Sequence, residues 1–345
     1  MILSDENNSK YFSYWLKGAI FLIFIMIIVG GLTRLTDSGL SITKWELISG
    51  ILPPISSTDW ISYFDEYKKI PQFLLLYPNM TLSEFKVIFF WEYFHRLLGR
   101  IIGLFFIVPL IYFTLKKQIN KNDLIILYFV FFLICLQGFF GWFMVKSGLV
   151  SDVTVSHYRL AIHLFTAVII LSILYWYFLN YSNKLTKKFF SLLDKKNLVL
   201  KVFFFLILLQ IIFGAFVSGL DAGRIYQTWP MMNTTFFPDD TTLQGPLDLF
   251  DFNNMSLVQF YHRSFAYLII IFFLYIVYKS RFQKFNFHLK SLNIVALILL
   301  AQIILGILTL ISGLNFYLAI FHQFFSLVLL LSVLRLNFFS MSDNK

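Results

Sequence analysis

Four histidines lie in apolar surroundings where a polar side chain needs a purpose. His95, His163, His262 and His322 each fall a turn or two inside a long apolar run. At ~1.5 Å of rise per residue, all four would sit at similar depth in a helical reading. Ionisable groups inside a bilayer are costly, ~2.5–3.5 kcal/mol for a charged side chain on insertion scales, and are usually functional. Taken as His95 with His163 and His262 with His322, they make two pairs. Such pairs suit bis-imidazole ligation of a haem iron, one ligand on each face. A zinc site would want a third and fourth ligand, and none lies nearby in sequence. A proton relay is the live alternative.

The charges beside these histidines add chemistry. In Trp91-Glu92-Tyr93-Phe94-His95-Arg96, the carboxylate is three residues before His95 and four before Arg96, on one helical face. Glu92 would pair with Arg96 or, desolvated, carry a proton near a reacting centre. The matching stretch Gln259-Phe260-Tyr261-His262-Arg263 has an amide there, which cannot titrate. The two sites are therefore expected to differ: chemistry at the first, a fixed cofactor at the second. Arg96, Arg100, Arg159 and Arg263 are candidates for haem propionates, because guanidinium pairs bidentately with carboxylate. Arg159 is four residues before His163 and shares its face. The plainer reading of these arginines is snorkelling to the interface. His157, at the mouth of a run, and His288, in a basic loop, read as structural.

The elements that must position these residues are membrane spans. Hydrophobic residues make up 59% of the 345 and charged residues 13%, about half the share expected of a soluble domain. Eight runs approach the ~20 residues a span needs: Tyr14–Leu32, Val87–Leu115, Leu124–Val145, Ser156–Tyr181, Val202–Leu220, Leu257–Tyr278, Leu292–Ile311 and Asn315–Leu336. The net charge of +10 does not suggest nucleic acid. The excess lies in short loops, including Lys116, Lys117 and Lys121; Lys184, Lys187, Lys188, Lys195, Lys196 and Lys201 against Asp194; and Lys279, Arg281, Lys284 and Lys290. The opposite loop after the fifth span is acidic, with Asp221, Asp239, Asp240, Asp248 and Asp251. The positive-inside rule then puts both termini in the cytoplasm and the two long loops outside. No cleavable signal is expected in Met1–Lys10, which is polar and mixed in charge. The loop Thr33–Lys86 is too long for a bare connector, and its Tyr63-Phe64-Asp65-Glu66-Tyr67 predicts short helices on the outer surface. Cys135, the single cysteine, excludes an intramolecular disulfide and a CxxC motif.

The halves repeat. Gly30, Asp37, Gly39 and Trp45 recur 184 positions on as Gly214, Asp221, Gly223 and Trp229. Gln137, Gly141, Ser147, Gly148 and Leu149 recur 165 positions on as Gln302, Gly306, Ser312, Gly313 and Leu314. An even number of spans per half makes the repeat parallel, with its pseudo-twofold axis along the membrane normal. The expected fold is an all-α polytopic membrane protein of two four-helix bundles. The N-terminal half, 1–185, would hold the substrate site, and the C-terminal half, 186–345, the cofactor. The shared glycines suit close helix approach.

The chain resembles the haem A synthase family. The likeness is carried by Gly-Gly-Leu-Thr-Arg-Leu-Thr-Asp-Ser-Gly-Leu-Ser from Gly30, by Trp45, and by Glu92-Tyr93-Phe94-His95-Arg96 with Gly99-Arg100. It continues through Tyr158-Arg159-Leu160-Ala161-Ile162-His163, Gly219-Leu220-Asp221-Ala222-Gly223 to Trp229-Pro230-Met231-Met232, Tyr261-His262-Arg263 and Phe321-His322-Gln323. The resemblance implies an oxidoreductase that oxidises a ring methyl of haem O to formyl, through hydroxylated intermediates, for cytochrome oxidase. It implies a haem b cofactor on His262 and His322, with Arg263 beside it. It also implies haem O docking at His95 and His163, with Arg96 and Arg159 nearby, and a catalytic role for Glu92. Some members carry cysteine pairs in the outer loops. This chain has none, is similar to the cysteine-free class of mitochondrial and related bacterial members, and so excludes a thiol mechanism. The expected place is a bacterial inner membrane, in contact with haem O synthase and oxidase assembly factors. The chain carries no flavin or nicotinamide motif, so reducing equivalents are expected from a separate donor. Two other classes share the histidines: a di-haem electron-transfer subunit, and a parallel-repeat transporter relaying protons. The loss of Glu in the second half and the loop motifs favour the enzyme.

Overall fold

The computed structural model describes residues 6–46, 49–149, 152–188, 195–241, 245–283 and 287–341. Asp194, Lys284 and the first five residues, used in the charge and signal readings above, lie outside the described residues. Among those described, ten α-helices follow in order: α1 (Glu6–Leu35), α2 (Ser57–Tyr67), α3 (Pro71–Leu76), α4 (Leu82–Leu115), α5 (Lys121–Gly148), α6 (His157–Asn183), α7 (Lys195–Gly219), α8 (Met255–Phe282), α9 (Leu289–Ile311) and α10 (Phe316–Ser340). All but α2 and α3 are long and apolar enough to cross a bilayer, and each coincides with one expected span. The chain is a multi-pass membrane protein.

Several helices outrun their apolar stretch because polar residues cap them. Thr81 and Glu84 form a reciprocal capping box at the start of α4, and Asn120, Asn254 and Asn315 cap α5, α8 and α10. His288 does the same for α9: its Nδ1 accepts from Ser291 N at 3.2 Å. Lys201, read from sequence as a loop cation, is instead a buried residue of α7.

The chain divides into two compact units, Met1–Leu171 and Ser172–Lys345. The division falls inside α6. The later turns of α6 pack with the second unit, where Trp176 meets Phe338 edge-on at 5.3 Å. In the first unit α4 packs against α1 and α5. Trp15 donates its indole N–H to the Phe105 carbonyl at 3.0 Å, and its ring lies 5.1 Å from that of Phe106. In the second unit α7 packs on α8 and α10, and α9 on α10. Buried Asn337 donates to the Leu200 carbonyl at 3.1 Å, a polar tie between α10 and α7.

The long loop of the first unit folds as expected into short helices. Leu40, Ile42, Trp60, Tyr67, Ile70 and Phe73 bury together against Phe85 and Phe89 of α4. Burial of this size holds the loop to one face of α4 and brings Ser41 and Ile42 over Glu92.

Candidate functional site

The four histidines share one seat, built from a glycine on the preceding long helix. A Cβ at Gly30 of α1 would stand 3.1 Å from Cε1 of His95 on α4, and one at Gly141 of α5 3.5 Å from Cε1 of His163 on α6. In the second unit the separations are 3.3 Å from Gly214 of α7 to His262 on α8, and 2.9 Å from Gly306 of α9 to His322 on α10. The sequence reading assigned these glycines to helix–helix approach. The structure gives them a narrower task, clearing the volume into which an imidazole lies. Gly306→Ala is expected to cost about 1–3 kcal/mol by overpacking, read as a lower thermal midpoint of the purified protein. Gly141→Ala, where the new methyl meets only ordinary contact, is the tolerant comparison. Equal midpoints would show that the seat at Gly306 yields freely.

The pairs expected from sequence come together within each unit. The His262 and His322 rings stand 6.5 Å apart, centre to centre, and nearly perpendicular at 79°. A single metal ion with nitrogen ligands at ~2 Å on each side fits a gap of that order. His95 and His163 lie close enough to interact electrostatically. The Nδ1 atoms of His95, His163 and His322 are buried without a hydrogen-bond partner. Buried polar atoms are rarely left so unless something else engages them. Among the described residues, no three His, Cys, Asp or Glu side chains converge as a metal cluster. The donor set is therefore two facing imidazoles per unit, which suits a metal whose other positions are filled by its own macrocycle.

Glu92 is buried, with 3% of its surface exposed, and its carboxylate is fully engaged. It accepts from Ser41 Oγ at 2.7 Å, from Ile42 N at 2.8 Å and from Arg96 Nη2 at 2.5 Å. Arg96 also donates to the carbonyls of Ile42 at 2.9 Å and Lys44 at 3.4 Å, and its guanidinium stacks 5.0 Å from the Trp45 ring. Glu92 and Arg96 together fasten the loop 41–45 to α4, one turn from His95.

The second unit builds the same fastening with different atoms. Buried Gln259 donates to the carbonyl of Tyr226, the residue 184 positions after Ile42. Arg263 donates through Nη2 to the carbonyls of Thr228, Pro230 and Met231 at 2.9–3.1 Å. Thr228 is the counterpart of Lys44. Asp37 and Asp221, another repeated pair, both turn the chain out of its helix with positive φ, 50° and 53°, a conformation short polar side chains tolerate. Burial first, then the neighbouring acids, pushes the Tyr67 and Tyr226 phenols upward, so both remain neutral donors: Tyr67 to Gln72 at 2.9 Å, Tyr226 to Asp239 at 2.7 Å.

The remaining expected residues are placed as follows. Arg159 donates to the Phe143 carbonyl at 2.7 Å and lies 3.9 Å over the Phe143 ring. Arg100 donates to the Glu46 carbonyl at 2.7 Å. His157 is buried at the start of α6 with its ring 4.1 Å from that of Tyr158. His288 is the cap described above. Sequence reasoning missed Gln210. Its amide donates to the His262 carbonyl at 2.9 Å, as that of Gln137 does to the His163 carbonyl at 3.0 Å. Its position four residues before Gly214 was the available signal.

Comparison with known proteins places the chain in one family along nearly its whole length. A family described as "Cytochrome oxidase assembly protein" (COX15-CtaA) matches residues 13–334. The chain is 48% identical over 334 residues to a protein of Pelagibacter ubique named "Heme A synthase", covering 96% of this chain and 97% of the relative. It is 40% identical to one of the same name from Wolbachia pipientis, covering 93% and 95%. A third, from Flavobacterium psychrophilum, is 39% identical, covering 94% and 96%.

Proposed function

The chain belongs to the haem A synthase family, and from that premise we propose how its residues divide the work. It is a membrane oxidoreductase that converts haem O to haem A in cytochrome oxidase assembly. We assign substrate binding to His95 and His163 and the resident cofactor, a haem b, to His262 and His322. Such a haem, held by His262 and His322, would supply one-electron chemistry. The observation that carries the division is the asymmetry between matching positions: Glu92 stands beside the first pair and Gln259 beside the second.

In this reading His95 and His163 grip the substrate and fix its ring methyl relative to the loop over α4. Loop 41–45, held down by Glu92 and Arg96, keeps water from that end of the site. Glu92 is the acid–base residue, trading a proton when the Ser41 hydroxyl or the Arg96 pair yields. Arg96, Arg159 and Arg263 are assigned to propionates. Arg263 supports this best, since its Nη2 serves the loop while its buried Nη1 is not spent on a backbone carbonyl.

The fold proposed for this work is two parallel-repeat four-helix bundles, 1–185 and 186–345. Its support is the repeated glycine seat, the repeated arginine fastening and the paired Asp37 and Asp221. Loop charge supports both termini in the cytoplasm of a bacterial inner membrane, with the histidines near the outer face. Haem O synthase and oxidase assembly factors are the partners proposed to deliver substrate and take product, with reducing equivalents from a separate donor.

The reading is tested by expressing the chain in a bacterium that makes haem O but no haem A, then extracting and separating the haems. A new haem A peak, absent with His95→Ala, is expected. Haem b alone in well-folded protein would favour a di-haem electron carrier instead.

A further inference from the structure

We propose that Gln137, Gln210 and Gln302 are positioning residues that anchor three of the four histidines, and that His95, where Met26 replaces the glutamine, is the ligand built to let go. The proposal rests on the haem reading above and deepens it by saying which site releases its occupant.

Helices α5, α7 and α9 each carry a glutamine four residues before the glycine that seats a histidine: Gln137 before Gly141, Gln210 before Gly214, Gln302 before Gly306. Residues four apart share a helical face, so amide and seat address the same imidazole-bearing residue. Gln137 donates to the His163 carbonyl at 3.0 Å. Gln210 donates to the His262 carbonyl at 2.9 Å, with its Nε2 also 3.2 Å from Nδ1 of the ring. Gln302 Nε2 stands 3.5 Å from Nε2 of His322. The Oε1 atom of all three glutamines is buried and has no partner. An imidazole that binds metal through one nitrogen must place its other N–H on an acceptor, and that acceptor fixes the ring and raises its basicity. An amide end can serve as donor or acceptor according to its rotation. Gln210 and Gln302 therefore reach the ring itself and Gln137 the backbone of its histidine, and all three keep an unspent acceptor.

Helix α1 departs from the pattern. Four residues before Gly30 stands Met26, 184 positions ahead of Gln210. A thioether has no N–H and accepts only weakly. The Met26 methyl lies against α4 instead, 3.4 Å from where a Cβ on Gly99 would be. Nδ1 of His95 is buried without a partner, as it is in His163 and His322; what sets His95 apart is the missing amide four residues before its seat. His95 thus keeps the glycine seat and loses the anchor. The difference matches the division of labour, because a cofactor must stay while a substrate must leave as product.

Two near-isosteric exchanges on the full-length purified protein test this: Gln210→Met and Met26→Gln. The readouts are the rate of haem transfer to apomyoglobin, the midpoint potential, and the g-values of the low-spin haem signal. Gln210→Met should speed haem b loss about tenfold, at the low end of what an outer partner of a metal ligand contributes. It should also shift the g-values and raise the haem b midpoint potential, the direction expected when a ligand imidazole loses the acceptor of its N–H. Met26→Gln should slow release of added haem O by a similar factor and leave the haem b signal alone. Parent-like release, potential and g-values in both variants would overturn the proposal while leaving the haem reading intact. A parent protein that binds no haem would overturn the reading beneath it as well.

Discussion

Glu92→Gln should fold, retain its haem b and lose at least about a hundredfold in haem A yield, the lower range for removal of a positioned acid–base group. The second unit supplies the reason for expecting this separation. Glu92 does two things at once in the structure. It ties Ser41 and Ile42 to α4, and it places a carboxylate three residues before His95. In the second unit Gln259 performs the first task alone, donating to Tyr226 at the matching point of the loop. A glutamine can therefore fasten the loop with a small side-chain rotation, and Arg96 still holds the carbonyls of Ile42 and Lys44. Only the titratable group is removed. If Glu92→Gln makes haem A at the parent rate, the residue is a fastening and the acid–base assignment falls.

His262→Ala should purify with less than about a tenth of the parent's haem b, since even outer-sphere partners of metal ligands contribute 10–100-fold. Among the described residues no third His, Cys, Asp or Glu joins the pair to substitute for the imidazole. Its seat on Gly214 is shaped for a ring, its mate His322 stands 6.5 Å away, and the polar group at hand, Gln210, is an amide. The bis-histidine optical spectrum should vanish with the haem. Full haem b with an unchanged spectrum would move the cofactor elsewhere. The variant also removes a large buried side chain, so helix content and elution profile serve as the folding control.

Much of this was legible in the sequence because membrane spans leave few choices. An apolar run of the right length becomes a helix, since backbone groups in lipid must pair within it. A histidine inside such a run announces itself. The repeat then paired the histidines before any distance was known. What stayed hidden were contacts made across helices or by loops. Ser41 and Ile42 reach Glu92 from about fifty positions away, guided by the packing of Trp60, Tyr67 and Phe73 onto α4. No local pattern encodes that path. Guanidinium chemistry and helical face mark the arginines as propionate ligands, but neither shows that Arg96, Arg100, Arg159 and Arg263 also hold backbone carbonyls. Those carbonyls come from loops and, for Arg159, from the neighbouring helix α5. Gln210 was missed for a further reason. The comparison of halves highlights identities, and its partner is Met26, so the position that distinguishes the two sites dropped out.

The most direct test of the account is a titration of purified protein with haem O, followed by its low-spin absorbance, in the parent and in His95→Ala and His262→Ala. The account predicts one equivalent of haem O bound by the parent beside its resident haem b. It predicts that binding is lost in His95→Ala with haem b unchanged, and that haem b is lost in His262→Ala while the N-terminal pair still takes haem O. Haem O binding that survives His95→Ala and disappears with His262→Ala would reverse the roles of the two pairs and contradict it.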